Sequence, residues 1–205
     1  DSLVALNASN GDRLWGKSFG SIKASPVISE GKVFAGNTAG APYFRVYDLE
    51  TGNSVWNATS ELQETKAEVY DGTVYVATCG DSVFAYDIDT GAQKWNRTGF
   101  GCSWDVSDPV AVNGLLYTSV YSATHEVLNT STGETVFSYN NPSDCKYTSP
   151  VVQDNFEGEK LFMADRYCSG STTGFRAFVT EEGGVKLDWS GYSSSENVNG
   201  FRIYY

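Results

Sequence analysis

The 205-residue sequence predicts an all-β fold, a five-bladed β-propeller of four-stranded antiparallel blades. Three observations lead there. A hairpin pattern recurs five times, each copy an apolar strand, a polar turn with glycine, and a second strand closing on an aromatic: LVALNASNGDRLW to Trp15, FRVYDLETGNSVW to Trp56, VFAYDIDTGAQKW to Trp95, HEVLNTSTGETVF to Phe137 and RAFVTEEGGVKLDW to Trp189. These aromatics stand 41, 39, 42 and 52 residues apart, a period near forty that marks a radial or stacked repeat. No segment sustains a 3.6-residue apolar period, whereas short alternating runs rich in Val, Tyr, Phe and Thr break at glycine turns.

Aligned on Gly11, Gly52, Gly91, Gly133 and Gly183, the units show a second strand pair after each aromatic: SPVISEGKVFAG, AEVYDGTVYVAT, DPVAVNGLLYTS, SPVVQDNFEGEKLFMA and ENVNGFRIYY. About twenty strands and almost no helix are expected. With the SPV strand innermost, a blade runs from centre to rim as SPVISEG, KVFAG, YFRVYDLE, SVWNATS. The blades then fall at 24–60, 66–99, 107–140 and 148–191, and the fifth joins 194–205 to 1–19. In that last blade the C-terminus supplies two inner strands and the N-terminus, SLVALNAS and RLWGKSFG, two outer ones. All 205 residues are read as one domain whose ring is closed by both termini.

Composition bounds the partners. A body of this size buries roughly 70% of the surface its unfolded chain would expose, enough for a core without metals. The net charge of -11, from 25 acidic against 14 basic residues spread through the turns, disfavours a nucleic-acid partner and keeps the surface solvated. No run of eighteen apolar residues exists, so no membrane insertion is expected; a start at Asp1 without a basic leader reads as a processed chain. Four sequons, at Asn7, Asn57, Asn96 and Asn129, together with an even cysteine count, place the chain in a secreted or cell-surface, extracellular setting as a glycoprotein. Asn141 is excluded as a sequon by the proline after it.

The hairpin residues Val4-Ala5-Leu6-Asn7 with Gly11 and Trp15, Val46-Tyr47-Asp48 with Thr51-Gly52 and Trp56, and Phe84-Ala85-Tyr86-Asp87 with Thr90-Gly91 and Trp95 resemble the tryptophan-docking repeat of the quinoprotein, or PQQ-like, β-propeller family. The resemblance spans nearly the whole chain and is clearest in the first three units; Phe137 replaces Trp in the fourth, and an extra residue separates Gly183 from Trp189. It implies the fold and says little of activity, because one architecture hosts unrelated functions. Family members more often have eight blades. The family's enzymes bind pyrroloquinoline quinone with calcium and use a disulfide between adjacent cysteines and a catalytic aspartate. No adjacent cysteine pair occurs here, so neither this cofactor nor dehydrogenase activity is expected.

Trp15, Trp56, Trp95, Phe137 and Trp189 read as structural wedges between blades, each Trp burying on the order of 200 Å² and contributing roughly 5 kcal/mol before entropy. Trp104, in GFGCSWD, falls outside that register and is a possible ligand or interface residue. Cys79 and Cys168 follow second strands and Cys102 and Cys145 lie in links between blades, which places all four on one face. Of the three possible connectivities, Cys79 with Cys102 and Cys145 with Cys168 join nearest neighbours, each across 23 residues, and each bridge would contribute roughly 3 kcal/mol. Asn57 and Asn96 follow the repeated Trp on outermost strands, while Asn7 and Asn129 share the turn-proximal end of the third strand, so sugar is expected at the periphery.

Catalytic signatures are sparse. His125, the only histidine, lies in a strand with no nucleophile signature near it, and no CxxC pair suggests zinc, so no metal is expected. The inner-strand acids Glu68, Asp108 and Glu196 are the candidates for a carbohydrate-active site. Asp48, Glu50, Asp87 and Asp89 precede the Thr-Gly turns and read as turn chemistry rather than calcium ligands. Nothing suggests a nucleotide. The expectation is a non-catalytic scaffold whose faces meet protein partners or copies of itself in an extracellular layer or filament. The alternatives are a lectin-like module binding glycans or, third, a glycosidase on the channel acids.

Overall fold

A computed structural model of the chain describes residues 1–59, 65–78, 82–99, 108–120 and 124–140, and strand segments at 146–147, 151–153, 160–162, 165–166, 176–179 and 185–188. Every regular element among them is a β-strand, and none is a helix long and apolar enough to cross a membrane. The first pair, β1 (Ser2–Leu6) and β2 (Arg13–Ser18), forms a two-stranded antiparallel sheet. Three four-stranded antiparallel sheets follow in chain order: β3 (Val27–Ser29), β4 (Lys32–Gly36), β5 (Phe44–Asp48) and β6 (Ser54–Ala58); β7 (Glu68–Tyr70), β8 (Thr73–Thr78), β9 (Ser82–Asp87) and β10 (Gln93–Thr98); β11 (Val110–Val112), β12 (Leu115–Val120), β13 (Thr124–Asn129) and β14 (Thr135–Asn140). In each, the SPV-type strand sits at one edge and the strand with the repeat aromatic at the other. Strand β11 lies against β7 on one side and against β16 (Val151–Gln153) on the other, so the short edge strands are neighbours from unit to unit.

Turn chemistry fixes this register. The inner hairpins close through Glu30-Gly31, Asp71-Gly72 and Asn113-Gly114, all at positive φ, the two-residue type I′ geometry whose twist matches that of the strands. The outer hairpins close through a second, equally repeated turn. The N–H groups of Asn7, Asp48, Asp87 and Asn129 donate to the carbonyls of Asp12, Asn53, Ala92 and Glu134, and the glycine four residues on donates back to each starting carbonyl. The pairing slips by one residue just before each aromatic: Leu14, Val55, Lys94 and Val136 have no partner opposite, while Trp15, Trp56, Trp95 and Phe137 face Ala5, Val46, Ala85 and Val127. Such a bulge increases local twist and re-aims the next side chain.

Of the fourth unit, expected over 148–191, only short strand segments lie among the described residues. Strand β16 pairs with β17 (Lys160–Phe162), and the same two arms pair again as β15 (Lys146–Tyr147) with β18 (Asp165–Arg166), one residue out of step. A separate hairpin joins β19 (Arg176–Val179) to β20 (Val185–Asp188). This unit spans 52 residues between aromatics, and its sequence reads QDNFEGEK where the other units carry a two-residue turn. The ENVNG and FRIYY strands expected in the fifth unit lie outside the described residues.

The core lies between sheets. Along β4, Val33 and Ala35 pack with Leu3 and Phe19 of the first sheet, while Phe34 turns to the opposite side and joins Trp56, Val74, Val76 and Tyr86. Along β8, Val74 and Val76 face that cluster, and Tyr75 and Ala77 face Leu116 and Leu128 of the next sheet. The period-two alternation therefore divides each strand between two neighbours, which is why β8 is buried throughout.

Candidate functional site

The most repeated constellation in the molecule is the seam between consecutive sheets. At three seams an indole from one unit lies on the turn glycine of the next: a Cβ on Gly52 would come within 2.7 Å of Trp15, and one on Gly91 or Gly133 within 2.6 Å of Trp56 or Trp95. These glycines also hold φ of 68, 70 and 73°, so the position requires glycine for its backbone as well as for its missing side chain. Each indole N–H donates to the carbonyl three residues before that glycine: Trp15 to Leu49 at 2.9 Å, Trp56 to Ile88 at 2.9 Å and Trp95 to Thr130 at 2.8 Å. The same three residues donate their own N–H to Gly31, Gly72 and Gly114 at the tips of the inner hairpins. Aromatic neighbours add tilted contacts, Trp15 with Tyr47 and Trp56 with Tyr86. Phe137 takes the equivalent strand position but has no N–H to donate, and it is 49% exposed. Its receiving glycine, Gly183, lies outside the described residues, as do Trp189 and Trp104.

The inner-strand acids bind backbone. Glu68 Oε1 accepts the N–H of Ala111 from the next sheet at 3.0 Å, and Tyr70 Oη accepts that of Gly114 at 3.1 Å. Asp108 Oδ1 accepts the N–H of Lys66 at 2.8 Å, while its Oδ2 lies 3.5 Å from Lys66 Nζ. Burial pushes the Glu68 carboxyl above the usual range, against the Ala111 hydrogen bond and the Lys66 charge, which pull it down. Glu196 lies outside the described residues. The role of Glu68 escaped the sequence reading, yet a signal existed: the sister units carry Val27 and Val110 at that register position.

The turn acids also serve locally. Asp48 Oδ1 accepts the N–H and hydroxyl of Thr51, and Asp87 Oδ1 those of Thr90, and these hydrogen bonds hold both carboxyls below the ordinary range. Asn7 and Asn129 occupy the same turn position and accept likewise through Oδ1, from Ser9 and from Ser131 and Thr132. Their Nδ2 atoms, where a glycan would attach, take no part in those bonds. Asn57 and Asn96 are exposed on β6 and β10, and Asn57 stands with Thr59, Phe84, Tyr86 and Gln93 around a groove of about 400 Å³ at the rim. Cys79, Cys102, Cys145 and Cys168 all lie outside the described residues, and so does any test of their pairing. No cluster of three or more His, Cys, Asp or Glu able to hold a metal occurs among the described residues, and Glu68, Asp108, Asp48 and Asp87 each accept a backbone N–H.

The family described as outer membrane protein assembly factor BamB matches residues 1–69 and 44–185. The chain belongs to this PQQ-like β-propeller family. No curated protein matches it in sequence. Among solved structures, this family member is similar to BamB from Moraxella catarrhalis, with a TM-score of 0.64 and 16% identity over 82% of this chain and 51% of that one. It is similar to a europium-containing methanol dehydrogenase, with a TM-score of 0.65 and 14% identity over 85% and 45%. A computationally designed protein, Ika8, gives 0.63 and 16% over 90% and 51%. The chain thus spans about half the length of these structures, and at such identities they share its fold.

Proposed function

We propose that this propeller is a non-catalytic scaffold of the cell envelope or its exterior, offering rigid faces to protein partners or to further copies of itself. In this reading it is secreted, N-glycosylated at its four sequons and assembled in an extracellular layer or filament. It closes as a five-bladed ring whose fifth sheet is shared by the two ends of the sequence. The observation that carries the reading is the engagement of Glu68 and Asp108. Carboxylates that a hydrolase would aim at substrate instead accept backbone N–H groups, Glu68 across a seam, and so favour a structural task. The family's description as an outer membrane protein assembly factor supports a role in protein contact at the envelope. The similarity to a methanol dehydrogenase bears on fold alone at 14% identity.

The test is sedimentation velocity of the purified glycoprotein across a hundredfold concentration range, with co-sedimentation on its native matrix. Association with itself or with the matrix is expected. A monomer throughout that ignores the matrix would overturn the proposal, as would polysaccharide turnover abolished by Glu68→Gln in a folded variant.

A further inference from the structure

The three seams between described sheets are alike in their indoles and unlike at the rim. Two residues past the repeat tryptophan, the first and third seams carry a long cation, Lys17 and Arg97, and the second carries Ala58. Each cation finds its partner across the seam. Lys17 Nζ lies 5.9 Å from the centre of the Tyr47 ring, and Arg97 Nη2 lies 3.1 Å from Thr135 Oγ1 and 4.0 Å from Glu126 Oε2. The second seam keeps both kinds of partner: Tyr86 stands at the register of Tyr47, and Gln93, opposite it, at the register of Thr135. Ala58 offers them only a methyl group, and the groove of about 400 Å³ opens beside it. Phe84, which takes the register position of Glu126, lies 10° from parallel to Tyr86 with ring centroids 5.9 Å apart, so the floor is aromatic. Asn57, Thr59 and Gln93 set amide and hydroxyl groups around it.

We propose that this groove receives an arginine side chain of a protein partner, in the place that the chain's own cations take at the neighbouring seams; the proposal rests on the protein-contact reading given above and deepens it. A guanidinium is planar, stacks on aromatic faces and donates several hydrogen bonds in its plane, which suits an aromatic floor ringed by neutral acceptors. An apolar side chain would cover the same floor but leave the amide oxygens of Asn57 and Gln93 without donors. Charge at longer range points the same way. The turn that supplies Gly91 to the groove also carries Asp87 and Asp89, in a chain whose net charge is -11.

The experiment titrates the purified glycoprotein with acetyl-Gly-Arg-Gly-amide and reads the Ala58 methyl and Tyr86 ring resonances by NMR; a glycan on Asn57 that filled the groove would count against the proposal. A saturable shift centred on the groove residues is expected. The matching citrulline peptide, nearly the same shape but uncharged, should bind roughly tenfold more weakly. Ala58→Arg, which supplies from within the cation of the third seam, should abolish the shift, and Tyr86→Leu, which copies Leu128 of that seam, should weaken binding while keeping the fold. No saturation, equal binding of the citrulline peptide, or unchanged binding by Ala58→Arg overturns the assignment, as does saturation by methyl N-acetylglucosaminide in place of the arginine peptide. If Ala58→Arg does not fold, the citrulline comparison and Tyr86→Leu decide. The two readings fail separately: a chain that associates with itself or its matrix but ignores the arginine peptide sinks the groove alone, and a monomer that ignores its matrix yet binds the peptide sinks the scaffold alone.

Discussion

A single residue type, glycine at the outer turn, is held by two independent constraints whose sizes can be separated. Gly91 and Gly72 have similar backbone angles, φ of 70 and 64°, but only Gly91 lies beneath an indole. Alanine at Gly72 should cost about 1 kcal/mol for the left-handed conformation alone. At Gly91 the same substitution also drives a methyl group into the Trp56 ring, and about 3 kcal/mol is expected. Denaturant titration of both variants checks this, and equal losses would mean that the indole contact contributes nothing. The glycines were visible in the sequence as spacing, whereas the contact above them was not, because spacing carries no direction. The bulge residues Leu14, Val55, Lys94 and Val136 were hidden for a related reason: every unit has the extra residue, so alignment of units cannot reveal it.

At the scale of strands, the inner edge is where acidity and stability meet. The Glu68 carboxyl is raised above its unfolded value, so it binds its proton more tightly in the folded chain. Its favourable contribution is therefore complete below pH 4.5, the unperturbed value, and is lost as pH climbs through the raised one. Above that, the folded state holds a partly buried carboxylate at a cost, moderated by Lys66 and opposed by Asp108. Glu68→Gln keeps an oxygen for the Ala111 N–H and removes the charge. Its melting temperature should exceed that of the wild type at pH 7, with the gap closing by pH 4, and a gap that widens on acidification would refute the assignment. The turn acids run the other way: Asp48 and Asp87, lowered by their Thr partners, lose their contribution as pH falls through those lowered values. Strand membership in the first three units was legible from alternation and turn glycines. Most of the fourth unit lies outside the described residues.

Across the whole molecule, repeats joined mainly through shared seams should respond to injury on both sides of the seam rather than within one unit. Trp56→Ala empties a cluster that holds Phe34, Phe44 and Val46 from one sheet and Val74, Val76 and Tyr86 from the next, at an expected cost of about 3 to 5 kcal/mol. Hydrogen exchange read by mass spectrometry should quicken in β4–β5 and β8–β9 together. Acceleration confined to the sheet that carries Trp56 would argue that each sheet is stable by itself. The repeat, its period and its radial character were readable because they recur; the identity of the partner was not, since recurrence describes what units share and recognition depends on where they differ.

The backbone of Leu49 joins two otherwise separate connections, one to the tip of its own inner hairpin and one to Trp15 of the preceding unit, and Ile88 and Thr130 repeat the arrangement. Tension applied near the hub accordingly reaches the outer circumference of the adjoining unit through one amino acid. That is a load path: stretching is shared between units from the first increment, and rupture should begin where the indole tie is missing, beside Phe137.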